Sequence, residues 1–196
     1  MRTAIIKGAR KLVFKHGAKM VTMDEIAAGV GISKKTLYKL FPDKVNLLTT
    51  LVTLELKNYQ NEIVAIQKQS KSAVDEILQI MNFMHKVLSD INPVLFADLR
   101  KYYAAAWQLF ADFKSGFVFK MVHTNLKRGI NENNYRPDLN IKIITQLRLA
   151  EIDLITSGTF YEGAKSNIAK AHFEIMKHFL LGIATLSGYK LICKHF

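Results

Sequence analysis

Proline occurs at only three positions of the 196-residue chain, and long intervals without a helix-breaking residue separate them. Because proline breaks the interior of a helix and glycine weakens it, three prolines and ten glycines allow long helices and disfavour a fold of short strands with frequent turns. Apolar residues at helical spacing predict helices over 4–16, 43–68, 72–89, 93–104, 105–130, 139–160 and 166–192. With two shorter helices described next, the sequence predicts an all-α fold of about nine helices.

The two shorter helices are predicted from residues that cap helix ends. Thr22 followed three residues later by Glu25 forms a capping box, so a helix is expected to begin at Met23. Gly31 interrupts this helix, and Ser33 can cap a following helix over 34–40. Two such helices joined by a short glycine-containing turn form a helix-turn-helix, and the helix over 4–16 completes a three-helix unit.

Positive charge is concentrated in the same part of the chain. The net charge is +12, and residues 1–50 hold ten Lys and Arg against three Asp and Glu. A focused positive field attracts polyanions, most often nucleic acid. The charge is also compatible with a helical interaction module whose basic unit binds an acidic protein or a membrane surface. The regular spacing of glycine, caps and aromatic residues over 17–44 favours the first interpretation, because a surface patch needs charge only.

Other residues restrict the compartment and the class of function. The single cysteine, Cys193, excludes an internal disulfide, which fits a reducing, cytoplasmic location. The most apolar stretch, 177–190, is too short to cross a bilayer, so no membrane association is expected. The histidines form no metal-binding pattern, and no nucleophile–base arrangement is apparent. The sequence predicts no metal, no cofactor and no enzymatic activity.

The segment 17–44 resembles the DNA-binding signature of the TetR family. The matching features are Gly17, Thr22, Ile26, Ala27, Gly31, Ser33, Thr36, Leu37, Tyr38, Phe41 and Lys44. Lys35, Leu40 and Val45 depart from the usual residues of that signature. The resemblance implies a DNA-binding domain over 1–44 and an effector-binding and dimerisation domain over 45–196. It also implies a homodimer on an inverted-repeat operator in double-stranded DNA, usually a repressor that a small-molecule effector releases.

The predicted DNA contacts follow from the geometry of a helix-turn-helix, whose second helix enters the major groove. Lysine donates well to guanine, and a threonine methyl group can contact a thymine methyl group, so the first turn of this helix is expected to approach base edges. The resemblance adds Tyr38 and Lys44 as phosphate contacts. The predicted DNA-binding residues are Thr22, Ser33, Lys34, Lys35, Thr36, Tyr38, Lys39 and Lys44.

The middle of the chain is rich in aromatic residues and methionine, and in the family the corresponding helices enclose a ligand pocket. A cavity with such walls could hold a small apolar or amphipathic effector. Plain core packing explains the same composition. The predicted ligand-binding residues are Met81, Met84, Phe96, Tyr103, Trp107, Phe110, Phe117 and Met121.

The last two predicted helices, 139–160 and 166–192, carry more apolar surface than a monomer needs to bury, which predicts a two-fold dimer. The predicted interface residues are Ile144, Leu147, Ile155, Phe173, Leu180, Ile183, Ala184 and Ser187. Arg148 and Glu151, three residues apart, could pair on one face of the first of these helices. A polar seam in the dimer interface, an anchor in the pocket and a solvated pair are all compatible with this spacing.

Overall fold

The computed structural model describes residues 1–157 and 167–196, which form an all-α fold, as predicted. The helices are α1 (Arg2–His16), α2 (Met23–Val30), α3 (Lys34–Leu40), α4 (Lys44–Gln69), α5 (Ala73–Ser89), α6 (Val94–Tyr102), α7 (Ala104–Phe113), α8 (Phe119–Asn131), α9 (Ile141–Ser157), α10 (Ile168–Ile183) and α11 (Leu186–Cys193). The predicted helix end at residue 160 and helix start at residue 166 lie outside the described residues.

Helices α1, α2 and α3 form the predicted three-helix unit. The Glu25 N–H donates to Thr22 Oγ1 over 3.1 Å, and the Thr22 N–H donates to Glu25 Oε2 over 2.7 Å, so the capping box is complete. Gly31 ends α2 in the left-handed conformation (φ 73°), which a residue without a Cβ adopts at little cost. The unit is held by a core of fully buried side chains: Ile5, Ala9, Val13, Ile26, Leu37 and Phe41.

Helix α4 connects this unit to the rest of the molecule without a linker. It begins where the Asn46 N–H donates to the carboxylate of Asp43 (2.7 Å) and continues for 26 residues. Leu48 near its start is buried in the N-terminal core, whereas Ile63 near its end is buried in the core of the larger helical bundle. One rigid helix therefore takes part in both cores.

Two predicted helices are each interrupted, which raises the number of α-helices in the described residues from nine to eleven. The helix predicted over 105–130 contains a π-helical turn, Lys114–Val118, between α7 and α8. The helix predicted over 166–192 breaks at Ala184, whose extended backbone forms an antiparallel bridge with Tyr135. The Thr185 N–H donates to the Asn134 carbonyl (3.0 Å), so a contact distant in sequence ends this helix.

The loop between α8 and α9 is fixed to α8 by Tyr135. Its side chain is fully buried, and its hydroxyl donates to Asn125 Oδ1 over 3.1 Å. The ring packs so closely on Gly129 that a Cβ there would lie 2.0 Å from the nearest ring carbon. Glycine at position 129 is therefore required for this packing.

We expect Gly129→Ala to lower the free energy of unfolding by about 1–3 kcal/mol, because the ring of Tyr135 must move to make room. Urea denaturation monitored by circular dichroism measures the change. Gly116→Ala is the matched control, since a Cβ there meets no atom within 4 Å. Equal effects of the two substitutions would show that the contact between Gly129 and Tyr135 is not constrained.

Candidate DNA-binding surface and internal cavity

The outer face of α3 carries polar side chains over a buried anchor, Leu37. Lys35, Tyr38 and Lys39 are exposed, and none of them has a hydrogen-bond or ion-pair partner among residues 1–157 and 167–196. Lys34 is exposed as well, but its amine forms an ion pair with Asp24 of α2 (2.5 Å). Three side chains are therefore available on this face to contact another molecule.

Ser33, Thr36 and Thr22 also serve the local structure. Ser33 Oγ accepts from the Thr36 N–H over 3.1 Å and lies 2.8 Å from the Thr36 hydroxyl oxygen. The Thr22 backbone N–H and hydroxyl both donate to Glu25 Oε2, over 2.7 and 2.9 Å, and these two hydrogen bonds hold the pKa of the Glu25 carboxyl below its ordinary value. All three residues lie at or near the start of a helix, α2 for Thr22 and α3 for Ser33 and Thr36.

Lys44 occupies the first position of α4 and also joins two other segments. Its amine donates to the carbonyl oxygen of Lys19 (3.2 Å) and lies 5.4 Å from the ring centre of Tyr103. Since an ammonium group has three N–H donors, this arrangement leaves donors free for an anion. Lys44 therefore contributes to the contact between the N-terminal unit and the larger bundle.

That contact is formed by a set of hydrogen bonds, which we call the latch. They join residues 14–19 to the side chains or backbone of Asn92, Asp98 and Tyr103. The Lys19 N–H donates to Asp98 Oδ2 (2.7 Å), and the Asn92 N–H donates to the Phe14 carbonyl (2.7 Å). The Tyr103 hydroxyl donates to the Ala18 carbonyl over 3.4 Å. Sequence analysis did not identify Asp98, because its partner is a backbone group 79 residues away.

Gly17 makes the latch possible. Its φ of 85° lies in the left-handed region, and a Cβ there would lie 2.8 Å from Asp98 Oδ2. A larger residue would be strained and would also push against the carboxylate that accepts from Lys19.

The larger bundle contains an internal cavity of about 180 Å³ with almost wholly apolar walls. Five of the eight predicted ligand-binding residues line it, namely Met84, Phe96, Trp107, Phe110 and Met121. The walls also include residues that were not predicted, such as Phe14 of α1 and Leu51 of α4. An engineered cavity of about 150 Å³ with apolar walls binds benzene, so this space accommodates a small apolar group.

The other three predicted ligand-binding residues do not line the cavity. Met81 is buried in the bundle core, and Phe117 stacks on the ring of Phe113 with 5.2 Å between the ring centres. Tyr103 contacts Ala18 in the latch. Aromatic and methionine content indicated the correct region, but the direction of each side chain depends on tertiary packing.

Arg148 is a buried cation in the cavity wall, and it pairs with Glu151. Its Nη1 donates to Glu151 Oε2 over 2.7 Å, and the two side chains are only 6% and 14% exposed. Arg148 and Glu151 therefore pair across three residues, as predicted, and their burial excludes the interpretation of a solvent-exposed ion pair. Burial lowers the pKa of Arg148, with the Glu151 carboxylate opposing the shift.

His172 of α10 lies beside Arg148 in the same wall, with its Nε2 atom 3.4 Å from Arg148 Nη2. Burial, with the nearby charge of Arg148, lowers the pKa of His172 to about 3. Among the described residues, its Nδ1 atom is buried without a hydrogen-bond partner.

The predicted dimer residues divide into two groups in the structure. Ile155, Leu180 and Ile183 are buried inside the protomer, and Ile144, Phe173 and Ala184 pack against its core, so these six belong to internal packing rather than to a free surface. Leu147 is 50% exposed, and Ser187 is exposed. Helical periodicity identified apolar residues on both sides of α9: Ile155 is buried in the protomer, whereas Leu147 is exposed.

The exposed side of α9 carries Ile143, Leu147 and Leu154, and Leu181 is exposed on α10.

In the part of the chain that the structure describes, no helix combines the length and apolar character needed to span a bilayer. Within the same residues, no cluster of three or more His, Cys, Asp or Glu side chains could hold a metal ion.

The fold and the α3 surface are those of a helix-turn-helix protein, and comparison with known proteins agrees. The family model for bacterial regulatory proteins of the tetR family matches residues 5–51. The chain is 28% identical over 123 residues to the HTH-type transcriptional regulator YvaF of Bacillus subtilis, covering 60% of this chain and 64% of that protein. The match to the tetR family model therefore covers the helix-turn-helix unit, α1 to α3, and the start of α4.

Solved structures share the fold along nearly the whole chain. FadR from Bacillus subtilis in complex with stearoyl-CoA has a TM-score of 0.72 at 17% identity, covering 93% of this chain and all of that one. A transcriptional regulator from Saccharomonospora viridis in complex with choline has a TM-score of 0.72 at 16% identity, covering 94% and 97%. The curated relative YvaF, by contrast, is matched over less than two thirds of its length.

His172 gives the stability a defined dependence on pH. An unfolded histidine has a pKa of about 6.5, so below that pH the unfolded chain binds a proton that the folded protein excludes until about pH 3. We expect the free energy of unfolding to fall by about 2 kcal/mol from this group between about pH 7.5 and pH 5.

Urea denaturation of the wild type and His172→Gln at both pH values measures this contribution. The free energy of unfolding of His172→Gln should fall by about 2 kcal/mol less than that of the wild type between the two pH values. His178→Gln, at an exposed position of the same helix, should show the same fall as the wild type. An identical pH dependence in all three proteins would contradict the assignment to His172.

Proposed function

We propose that the protein is a homodimeric DNA-binding transcriptional regulator that represses from an inverted-repeat operator until an effector occupies the cavity. The observation that carries this proposal is the group of unpaired basic and polar side chains on α3. They are presented by a unit whose core is continuous with the helices around the cavity. We place DNA binding in residues 1–44 and effector binding and dimerisation in residues 45–196.

The proposed contacts use α3 as the helix in the major groove. Lys35 and Thr36 lie in its first turn, where side chains reach base edges, and Lys34 joins them when it leaves Asp24. Tyr38 and Lys39 follow toward the phosphates. Thr22, Ser33 and Lys44 lie at helix N-termini, where free N–H groups and the helix dipole favour phosphate.

The proposed dimer uses the exposed sides of α9 and α10. Ile143, Leu147 and Leu154 recur at helical spacing along α9, and Leu181 adds apolar surface from α10. A stripe of this kind on one face is typical of a two-fold contact, in which the same patch of each subunit meets its copy. The dimer would present two α3 helices to successive major grooves about 34–36 Å apart.

The latch and the cavity share structural elements, which supports a route from effector to DNA. Leu95 and Leu99 of α6 line the cavity, and Asp98 of the same helix accepts from Lys19 next to the N-terminal unit. Phe14 of α1 lines the cavity too. A ligand that displaces α6 would move residues 14–19 and change the separation of the two α3 helices, provided that it binds more tightly to that state.

The cavity supports an apolar or amphipathic effector, because its walls are aliphatic and aromatic. Two proteins with this fold hold small molecules, stearoyl-CoA in one and choline in the other. Because these two ligands differ in chemistry, the two proteins support the binding of some effector in the cavity. The kind of ligand must be inferred from the residues of this chain.

A gel-shift titration with the upstream DNA and nonspecific competitor tests the DNA-binding proposal. Lys44→Ala should weaken binding to all sequences and flatten the dependence of affinity on salt, because it removes one phosphate contact. Lys35→Ala should relax preference at one or two base pairs at a cost of about 1–3 kcal/mol.

Lys127→Ala, which removes the same charge from an exposed position of α8, is the matched control and should bind as the wild type does. Unchanged affinity, salt dependence and base preference in both α3 and α4 variants would refute the proposed surface. Retention of an acidic protein with no DNA binding would favour the interaction-module alternative.

Leu147→Asp should convert the dimer to a monomer at micromolar concentration, because it places a charge in the proposed apolar contact. Analytical ultracentrifugation measures the molecular mass. Leu54→Asp introduces the same charge at an exposed leucine of α4 and should remain dimeric. A wild-type monomer, or a dimeric Leu147→Asp protein, would remove α9 from the interface.

A further inference from the structure

We propose that the cavity selects an amphipathic effector with a carboxylate head, bound between Arg148 and Lys114 with its apolar body toward α4 and α6. This inference rests on the proposed function, because it takes the cavity to be the effector site. It is carried by the way in which charged residues are divided between the inside and the outside of α9.

The cations face the cavity, whereas their carboxylate partners do not. Arg148 and Lys114 both line the cavity. Their partners, Glu151 and Asp153, instead line a shallow groove on the outer side of α9, together with Leu147, Leu154 and Arg100 of α6. Each ion pair therefore spans this part of the structure, with the cationic side chain in the cavity wall and the carboxylate in the outer groove.

The donors on this part of the wall are not all used. A guanidinium has five N–H groups, and among the described residues Arg148 directs one to Glu151 and one to His172. The guanidinium also lies 5.7 Å from the ring centre of Phe179, and its remaining N–H groups would donate to an acceptor oxygen of a ligand. A carboxylate suits a guanidinium best, because charge-assisted hydrogen bonds are the strongest that these groups form.

His172 contributes a further donor. Because a guanidinium can only donate, the lone pair of His172 must be on Nε2, the atom that faces Arg148. The neutral ring then carries its proton on Nδ1, which is the buried atom without a partner. The unused polar groups of Arg148 and His172 are thus donors, and an amine or ammonium head would find no acceptor in them.

A carboxylate in the cavity wall fixes the orientation of the ligand. Glu55 of α4 lines the cavity there, and its carboxylate is already engaged by Arg10 (3.0 Å) and by the hydroxyl of Tyr59 (3.0 Å). A second carboxylate placed near Glu55 would be repelled. The remaining wall on the α4 and α6 side is aliphatic and aromatic, which suits the apolar body.

Isothermal titration calorimetry on the full-length protein, with no DNA present, tests this selection. The probes are hexanoate and octanoate, each compared with the alcohol and the amine of the same chain length, below their micelle concentrations. We expect at least one acid to bind about tenfold to a hundredfold more tightly than its alcohol, and its amine to bind more weakly still. Acids that do not bind, or that bind no more tightly than the matched amines, would overturn the proposal.

Two variants locate the head group. Lys114→Met removes one cation and leaves Asp153, which is 49% exposed, in contact with water. Arg148→Gln combined with Glu151→Gln removes the buried pair together, so that no uncompensated charge remains inside. Each should reduce acid affinity about tenfold while changing alcohol affinity little, and Lys127→Met, at an exposed position of α8 outside the cavity, should leave the preference for acid unchanged. Acid affinity unaffected by both variants would overturn the proposal.

A gel shift with the acid that binds separates this inference from the proposed function. Acid selectivity without any DNA binding would support the cavity assignment and refute the regulator. DNA binding by a protein that does not select acids would leave the regulator standing and refute the carboxylate head.

Discussion

Val13 of α1 is buried in the same apolar cluster as Leu95 and Leu99 of α6, and Leu48 of α4 belongs to that cluster too. The N-terminal unit consequently has no separate core that could turn freely on a linker. Close-packed interiors transmit displacement instead of absorbing it. The proposed effect of a ligand in the cavity on α3 depends on this shared packing. The hydrogen bonds of the latch add a specific connection between α6 and residues 14–19.

Local signals in the sequence were sufficient for the N-terminal unit. The Thr22–Glu25 capping box, Gly31 and Ser33 act over three or four residues, so the limits of α2 and α3 could be predicted without knowledge of the fold. The break at Ala184 could not be predicted in this way. It is produced by backbone pairing with residues 134–136, and the nearest glycine, Gly182, lies inside α10 rather than at the break.

The cavity and the α9 surface show a second limit of sequence reasoning. Periodicity finds apolar residues on a helix, but α9 carries apolar residues toward its own core and toward the outside, so the pattern does not distinguish Ile155 from Leu147. The same holds for aromatic residues near the cavity, where Trp107 lines the space and Phe117 does not. Only the packing of neighbouring helices decides which side of each residue is open.

The charge pairs that cross α9 have a consequence for assembly. Glu151 and Asp153 lie in the same groove as Leu147 and Leu154, which form the proposed contact with a second subunit. An anion that takes over Arg148 from inside would release a carboxylate at the edge of that contact. Subunit association and ligand occupancy would then be thermodynamically linked, and apparent ligand affinity would vary with protein concentration.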